Sequence, residues 1–355
     1  MNPSPIGNVA RLSIHTPRLC RLFTLPVLLS CLGPPVPPQA PRPVSPELTL
    51  SRLAFGSCSY SNRPQPLWEP ILATDPQLWV WMGDNIYGDS ENVQVLREKY
   101  REASANEGYR RLVARVPVVG TWDDHDYGLG NGGQEYPSRV GSQAALLDFL
   151  GEPQDSPRRR QEGVYASYTF GSPPKQVKLI LLDVRYHRDP PGPEGDVLGD
   201  AQWKWLEEEL GGSNAQVHLI GSGFQFLPVE HRFEKWANFP LARARLLQLI
   251  ADSRAPGVIL LSGDRHLGEI SKLETEPLGY PLFEVTSSGM THFVTRPNGE
   301  PNRLRIGSLF TGLNFGVVEI EWEKPTPLIR LQIRGEDGSP GATIEVELSR
   351  LVPGA

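Results

Sequence analysis

The chain has 355 residues, with 35 Lys and Arg against 41 Asp and Glu and a formal charge of -6. That mildly acidic balance argues against the basic surface that nucleic-acid binding needs, and the length suffices for one large domain or two smaller ones. Hydrophobic residues at 39% and charged residues at 21% fit a globular class, while 35 Gly and 35 Pro assign much of the chain to loops, where sites gather.

The first segment stands apart. Residues 1–22 carry Arg11, Arg18 and Arg21 and no acid, and FTLPVLLSCLG (23–33) follows. The apolar run is too short to span a bilayer, which takes ~20 residues. Basic, then apolar, then small is the order of a secretory signal, so residues 1–33 are expected to direct export. LLSC, ending at Cys31, loosely resembles a lipoprotein cleavage site, which gives a possible membrane attachment through an acylated Cys31; plain secretion ranks above it. Residues 34–47 contain PPVPPQAPRPVSP and read as an extended linker. The folded domain is expected over 48–355. Of the three cysteines, Cys20, Cys31 and Cys58, only Cys58 stays once residues 1–33 are removed, so no disulfide can form within the domain.

Along the domain, short apolar runs break into polar clusters. LTLSRLAFGSC ends at Cys58, QLWVWMGDNIY at Asp84 and Tyr87, and RVPVVGTWDDHD at Asp123, Asp124, His125 and Asp126. QVKLILLDVRYHR ends at Asp183, Arg185 and His187, QVHLIGSGFQF at Ser222 and Gln225, and GVILLSGDRH at Asp264, Arg265 and His266. Such runs fit strands buried on both faces. Helical spacing lies between them at 92–115, at 138–150 with Gly151 as a stop, at 200–210 with Asp200 as N-cap, and at 240–252. Alternating strands and helices predict a layered α/β domain. FEVTSSGM, FGVVEIEWE, LIRLQIR and TIEVELSRL alternate apolar and polar residues and read as antiparallel strands, so the sheets are expected to be mixed.

In layered α/β folds ligands bind beyond the carboxyl ends of strands. Those ends bring together Cys58, Asp84, Tyr87, Asp124, His125, Asp264 and His266. Carboxylates this crowded raise one another's pKa, and a multivalent cation removes the conflict. Two cations sharing one carboxylate account for the number of acids better than one. A GD, a DRH or a lone Cys after a strand is ordinary by itself; the metal reading rests on their recurrence at four strand ends of one chain.

GSC (56–58), GDNIY (83–87), TWDDHDYG (121–128), LDVRYHR (182–188) and SGDRH (262–266) resemble, in order and approximate spacing, the alkaline phosphatase D (PhoD-like) family of calcineurin-like metallophosphoesterases. The helix opening LGDAQWKWLEEEL (198–210) is similar to that family's LGxxQxxWLxxxL element. The resemblance covers roughly residues 48–320. It implies a four-layer α/β-β/α metallophosphoesterase sandwich of two mixed sheets flanked by helices. It also implies a cluster, binuclear or larger, of ferric iron (Fe3+) and calcium (Ca2+). Cys58 and Tyr87 would bind the iron, Asp84 would bridge the metals, Asp124 would bind the second metal, and Asp264 and His266 would close the site. His125 would face the substrate as general acid, with Arg265 and Arg185 as candidates for holding phosphate oxygens. An N-terminal accessory β-domain and a C-terminal lid helix, present in some members, are not evident, and no Arg pair suggests twin-arginine export.

The expected activity is hydrolysis of phosphate monoesters and/or diesters by a metal-bound hydroxide, with a phosphate ester as the partner, no specific nucleic-acid binding and a monomeric state. A catalytically silent metal-binding surface protein of the same fold, with lipid anchoring as a variant, is the main alternative, but such a protein should have lost ligands and none is missing. An adhesive module on a lipid-anchored stalk is a second. A cysteine hydrolase using Cys58 is disfavoured, because its histidine partner would stand here among acids.

Overall fold

Thirteen strands and seven α-helices frame the chain described by the computed structural model, which covers residues 41–274, 278–295 and 300–354. The expected export segment with Cys31, and residues 34–40 of the linker, lie outside the described residues. No helix among the described residues is long and apolar enough to cross a membrane.

The first sheet begins with β1 (Arg52–Gly56), β2 (Leu78–Met82) and β3 (Val118–Thr121), which run parallel. Between them lie α1 (Trp68–Ala73), α2 (Val93–Ala105) and α3 (Glu107–Arg115). After β3 come the single turn α4 (Asp124–Tyr127) and α5 (Arg139–Phe149). The second sheet contains β4 (Ala166–Phe170), β5 (Val177–Leu181), β6 (Val217–Ser222), β7 (Val258–Ser262), β8 (Gly268–Leu273), β9 (Leu282–Ser287) and β10 (Arg305–Phe310), in the order β10-β8-β9-β7-β6-β5-β4. Helices α6 (Gly199–Gly211) and α7 (Pro240–Ser253) connect its parallel strands. The chain then returns to the first sheet as β11 (Phe315–Glu321), β12 (Leu328–Arg334) and β13 (Pro340–Glu347), giving the order β13-β12-β11-β1-β2-β3.

The pleat of β2 shows why the layers stack as they do. Successive side chains point to opposite faces. Leu78, Val80 and Met82 join one buried cluster with Leu179, Ile220 and Leu260 of the second sheet. Trp79 and Trp81 turn the other way, into a cluster with Trp68, Leu96, Tyr109 and Phe149 of α1, α2, α3 and α5. Trp203 and Leu206 of α6 and Leu246 and Ile250 of α7 cover the second sheet. Helices, sheet, sheet and helices form the expected four layers. The sheets meet so closely that a Cβ on Gly221 would lie 2.9 Å from the Met82 terminal methyl.

Three local expectations change. The 92–115 helix is two helices, because Asn106 is extended (ψ 127°) and its side chain accepts from Tyr109 N to start α3. Asp200 lies inside the first turn of α6 rather than capping it; Asp196 supplies the entry contact, accepting from Gly199 N at 2.8 Å. FEVTSSGM is not a purely antiparallel strand: β9 runs parallel to β7 and antiparallel to β8. Gly151 ends α5 as expected, with a left-handed φ of 69°.

The carboxyl ends of β1, β2, β3, β6, β7 and β9 converge. Gly263 N donates to Gly223 O at 2.9 Å, and Met290 N donates to Ser57 O at 3.2 Å. The first bond extends the β6–β7 pairing, and the second ties the two sheets where the polar clusters begin.

Candidate metal centre

Each ligand candidate sits where a strand breaks. Cys58, Asp84, Asp264 and His266 adopt left-handed backbone conformations, with φ of 63°, 49°, 67° and 55°. Such conformations cost about 1–3 kcal/mol each in non-glycine residues and persist only where the surroundings impose them. Glycines permit the close approach: a Cβ on Gly83, itself at φ 96°, would lie 2.5 Å from Asp123 Cβ.

The side chains fall into three overlapping groups whose donor atoms lie within 4.8 Å of one another: Cys58, Asp84 and His266; Asp84, Asp124 and His125; and Asp84, Asp123, Asp124 and Asp264. Asp84 belongs to all three. One of its oxygens lies 3.4 Å from Cys58 Sγ, and the other accepts from His125 N at 3.3 Å. Ser288 Oγ lies 3.0 Å from Cys58 Sγ and accepts from His266 N at 2.7 Å. Tyr87 Oη lies 3.2 Å from His266 Nε2, and the Tyr87 ring stacks on Tyr60 at 3.7 Å between centroids.

Burial first, and then the charges of Asp124 and Asp123, push the Asp84 carboxyl well above the usual carboxylate range. Asp264 is raised to about 7 by burial, with Asp124 adding to the shift and Arg265 opposing it. Burial, followed by the charge of Asp84, also raises the Cys58 thiol. Asp124 is the exception: burial acts to raise it, but Arg185, His125 and a bond from Asn131 N together hold it lower. Burial lowers His266 to about 4, which leaves a neutral imidazole with a free lone pair. Asp124 Oδ1 and Asp123 Oδ2 are buried with no hydrogen-bond partner. A thiol, a phenol, imidazole nitrogens and buried carboxylates with unused lone pairs fit cations as a donor set.

The four polar residues of WDDHD divide their tasks. Asp124 faces the cavity, its Oδ2 accepting from Asn131 N at 2.7 Å. His125 binds Asp89 through Nδ1 at 2.6 Å, which leaves Nε2 for the cavity. Burial opposes protonation of His125, but the Asp89 bond and the Asp124 charge raise its pKa above the ordinary histidine value. Asp126 turns inward, accepting from Asn85 N, Ile86 N, Tyr100 Oη and Asp123 N. Asp123 pairs with Arg185, whose Nε lies 2.6 Å from Asp123 Oδ1.

Arg185 therefore stands apart from its expected placement. It is wholly buried, held between Asp123 and Glu234 at 2.6 Å from each, and does not line the cavity. Asp123, and Glu234 which it shares with Arg188 at 3.4 Å, draw it inward. Arg265 does line the cavity; it pairs with Glu300 and lies 4.1 Å from the Phe233 ring centroid. The cavity measures about 620 Å³, with Asp124, His125, Asp264, Arg265 and His266 in its wall.

Sequence reasoning gave no site role to Asp123, Asp89, Ser288 or His292. His292 Nε2 lies 3.1 Å from both Tyr87 Oη and His266 Nε2. Its signal was present: it follows the strand-like run FEVTSSGM by two residues, so the strand-end rule extended to TSSGMTH reaches it.

Comparison with known proteins bears on this arrangement. Alkaline phosphatase D of Bacillus subtilis (strain 168) is 24% identical over 314 residues, covering 73% of this chain and 52% of the relative. The chain thus spans about half the length of the curated relative it matches. Among solved structures, PhoD aligns with a TM-score of 0.66 at 18% identity, over 84% of this chain and 68% of that one. GAP50, the anchor in the inner membrane complex of Plasmodium, aligns with a TM-score of 0.55 at 14% identity, over 84% and 88%. A dimetal phosphatase from Danio rerio aligns with a TM-score of 0.52 at 14% identity, over 84% and 99%. These structural likenesses speak for the fold. The PhoD-like phosphatase family model matches residues 53–301, most of the chain and every strand-end motif, and this protein belongs to that family.

Proposed function

We propose that the chain is a metal-dependent phosphoesterase acting on phosphate monoesters and/or diesters. The observation that carries the reading is the complete donor set around Asp84, opening onto a cavity that also holds His125 and Arg265. Cys58, Tyr87 and His266 suit ferric iron, and Asp124 and Asp264 suit calcium, with Asp84 shared between them. When bound, the cations would supply positive charge for the phosphoryl oxygens and lower the pKa of a water nucleophile.

The chain's own residues account for the other requirements. His125 is oriented by Asp89 and carries a raised pKa, so its Nε2 is suited to hold a proton for the leaving alkoxide. Arg265, anchored by Glu300, turns its guanidinium toward the cavity as a fork for phosphate oxygens. Arg185 acts from behind, compensating Asp123 and Glu234 and favouring the ionised form of Asp124. The segment that precedes the domain supports export, with attachment through Cys31 as a variant of it.

The test pairs elemental analysis and a visible spectrum with hydrolysis of p-nitrophenyl phosphate and bis-p-nitrophenyl phosphate. Iron and calcium together, an absorption band lost in Cys58→Ala, and turnover abolished in Asp84→Ala are expected. A metal-loaded chain that hydrolyses neither ester would leave the silent surface protein as the better reading.

A further inference from the structure

The Tyr87 corner holds a triangle of donor atoms. Tyr87 Oη, His266 Nε2 and His292 Nε2 are separated by 3.2, 3.1 and 3.1 Å. Hydrogen bonds can fill at most two of its three sides. Each imidazole nitrogen is either a donor or an acceptor, and the phenol has one proton. If the phenol donates to one ring, the other ring's single N–H must be shared between the phenol oxygen and the first nitrogen. One side of the triangle is then left without a proton of its own. A cation satisfies all three lone pairs together. Ligand bonds of about 2.0–2.1 Å at right-angled to tetrahedral separation put neighbouring donor atoms about 2.8–3.4 Å apart, a range that contains the observed spacing.

The rest of the His292 environment fits a ligand. Its Nδ1 lies 3.2 Å from Thr291 Oγ1, and that hydroxyl donates to Cys58 O at 3.2 Å, which leaves the oxygen to accept from Nδ1–H. An acceptor behind the ring in this way fixes the tautomer and leaves the Nε2 lone pair free for a cation. Thr291 N donates to Cys58 O at 3.3 Å and Tyr60 N donates to Thr291 Oγ1 at 2.9 Å, so the segment after β9 is clipped to the Cys58 loop. The Tyr60 ring packs on His292 at 4.9 Å and on Tyr87 at 3.7 Å, closing the corner from one side.

We propose that His292 is a second imidazole ligand of the cation at the Cys58–Tyr87 corner, beside His266. The inference rests on the metallophosphoesterase reading and adds to it a residue that no acid-led motif marks.

The test uses the metal-loaded full chain, grown with iron and calcium, as wild type, His292→Ala and Thr291→Val. X-ray absorption at the metal edge counts imidazole ligands, and the rate of metal loss to a chelator reports on affinity. Two imidazoles are expected in the wild type and one in His292→Ala, with metal lost at least about tenfold faster; Thr291→Val should keep both imidazoles and lose metal faster as well. One imidazole in the wild type, or an unchanged count and loss rate in His292→Ala, overturns the proposal and leaves the phosphoesterase reading standing. A wild-type chain that takes up no metal overturns both. If His292→Ala fails to fold, the wild-type imidazole count and the Thr291→Val loss rate decide the matter.

Discussion

Arg185 offers the most direct test of how the centre is built. Replacing it with Met keeps the bulk of the side chain and removes the guanidinium that bridges Asp123 and Glu234, each 2.6 Å away, while Arg188 stays 3.4 Å from Glu234. Arg185 and Asp123 are wholly buried, so water cannot take over the role at Asp123, while Glu234 borders the cavity. Removing one partner of a buried ion pair costs about 3–5 kcal/mol, because the other charge is left uncompensated. For a domain of this order each kcal/mol lowers the melting temperature by about 2–4 °C, so Arg185→Met should melt about 6–20 °C below the wild type. Neutralising an acid as well, in Arg185→Met/Glu234→Gln, should recover part of the loss. The assay is thermal unfolding of the chelator-treated chains beside steady-state kinetics of the metal-loaded ones. A variant that melts within about 2 °C of the wild type while KM rises steeply would refute the reasoning, and would mean that Arg185 reaches the substrate after all.

Two other residues give distinct outcomes. His125→Asn should lower turnover of alkyl phosphates by about 10²–10⁴ but affect p-nitrophenyl phosphate much less, since that leaving group needs no proton; equal losses on both would remove the general-acid role. Asp89→Asn weakens the contact that raises the His125 pKa, so the basic limb of the pH–rate profile should move to lower pH, and an unmoved limb would count against the pairing. Asp126→Ala strands four donors, among them two backbone N–H groups of the Asp84 loop, and should cost roughly 3 kcal/mol in urea unfolding. A loss below about 1 kcal/mol would show that the loop holds itself without it.

The fold was legible because its central strands are buried on both faces and therefore written as continuous apolar runs. The site was legible because each run ends in residues too polar for a core. What the sequence withheld depends on tertiary partners. Asp123, Asp124 and Asp126 look equivalent in WDDHD, and only the positions of Arg185, Asn131 and Asn85 assign one to an ion pair, one to the cavity and one to the loop. Arg185 reads as a substrate-facing residue until Glu234, some fifty positions later, is seen to draw it inward. The return of β11–β13 to the first sheet is equally non-local: Leu53 pairs with Val318, a register no short window reveals. The helix break at Asn106 was local, since Asn is a good N-cap and a poor helix interior, and could have been read from the sequence.

The centre is destabilised by the same features that make it a metal site, and this can be measured. Asp84 lies among Asp124, Asp123, Asp126 and Asp264 and holds a left-handed backbone at φ 49°. Asn tolerates that backbone and can keep the acceptor for His125 N, yet brings no charge. Without metal, then, Asp84→Asn should be more stable than the wild type, by about 0.5–2 kcal/mol if it behaves as other relieved functional sites do. The pH dependence has a definite sign. Burial, and after it Asp124, raises the folded-state pKa of Asp84, so the folded chain binds that proton more tightly than the unfolded one. The associated stability is present at low pH and is lost as pH rises through the folded pKa. The advantage of Asp84→Asn in chelator should therefore widen from acidic to alkaline pH, and with metal present it should reverse, because the wild type alone keeps its bridging ligand. A variant less stable than the chelated wild type at alkaline pH would mean that the acids around Asp84 are already neutralised by the chain itself, and that the crowding of carboxylates is no argument for a cation.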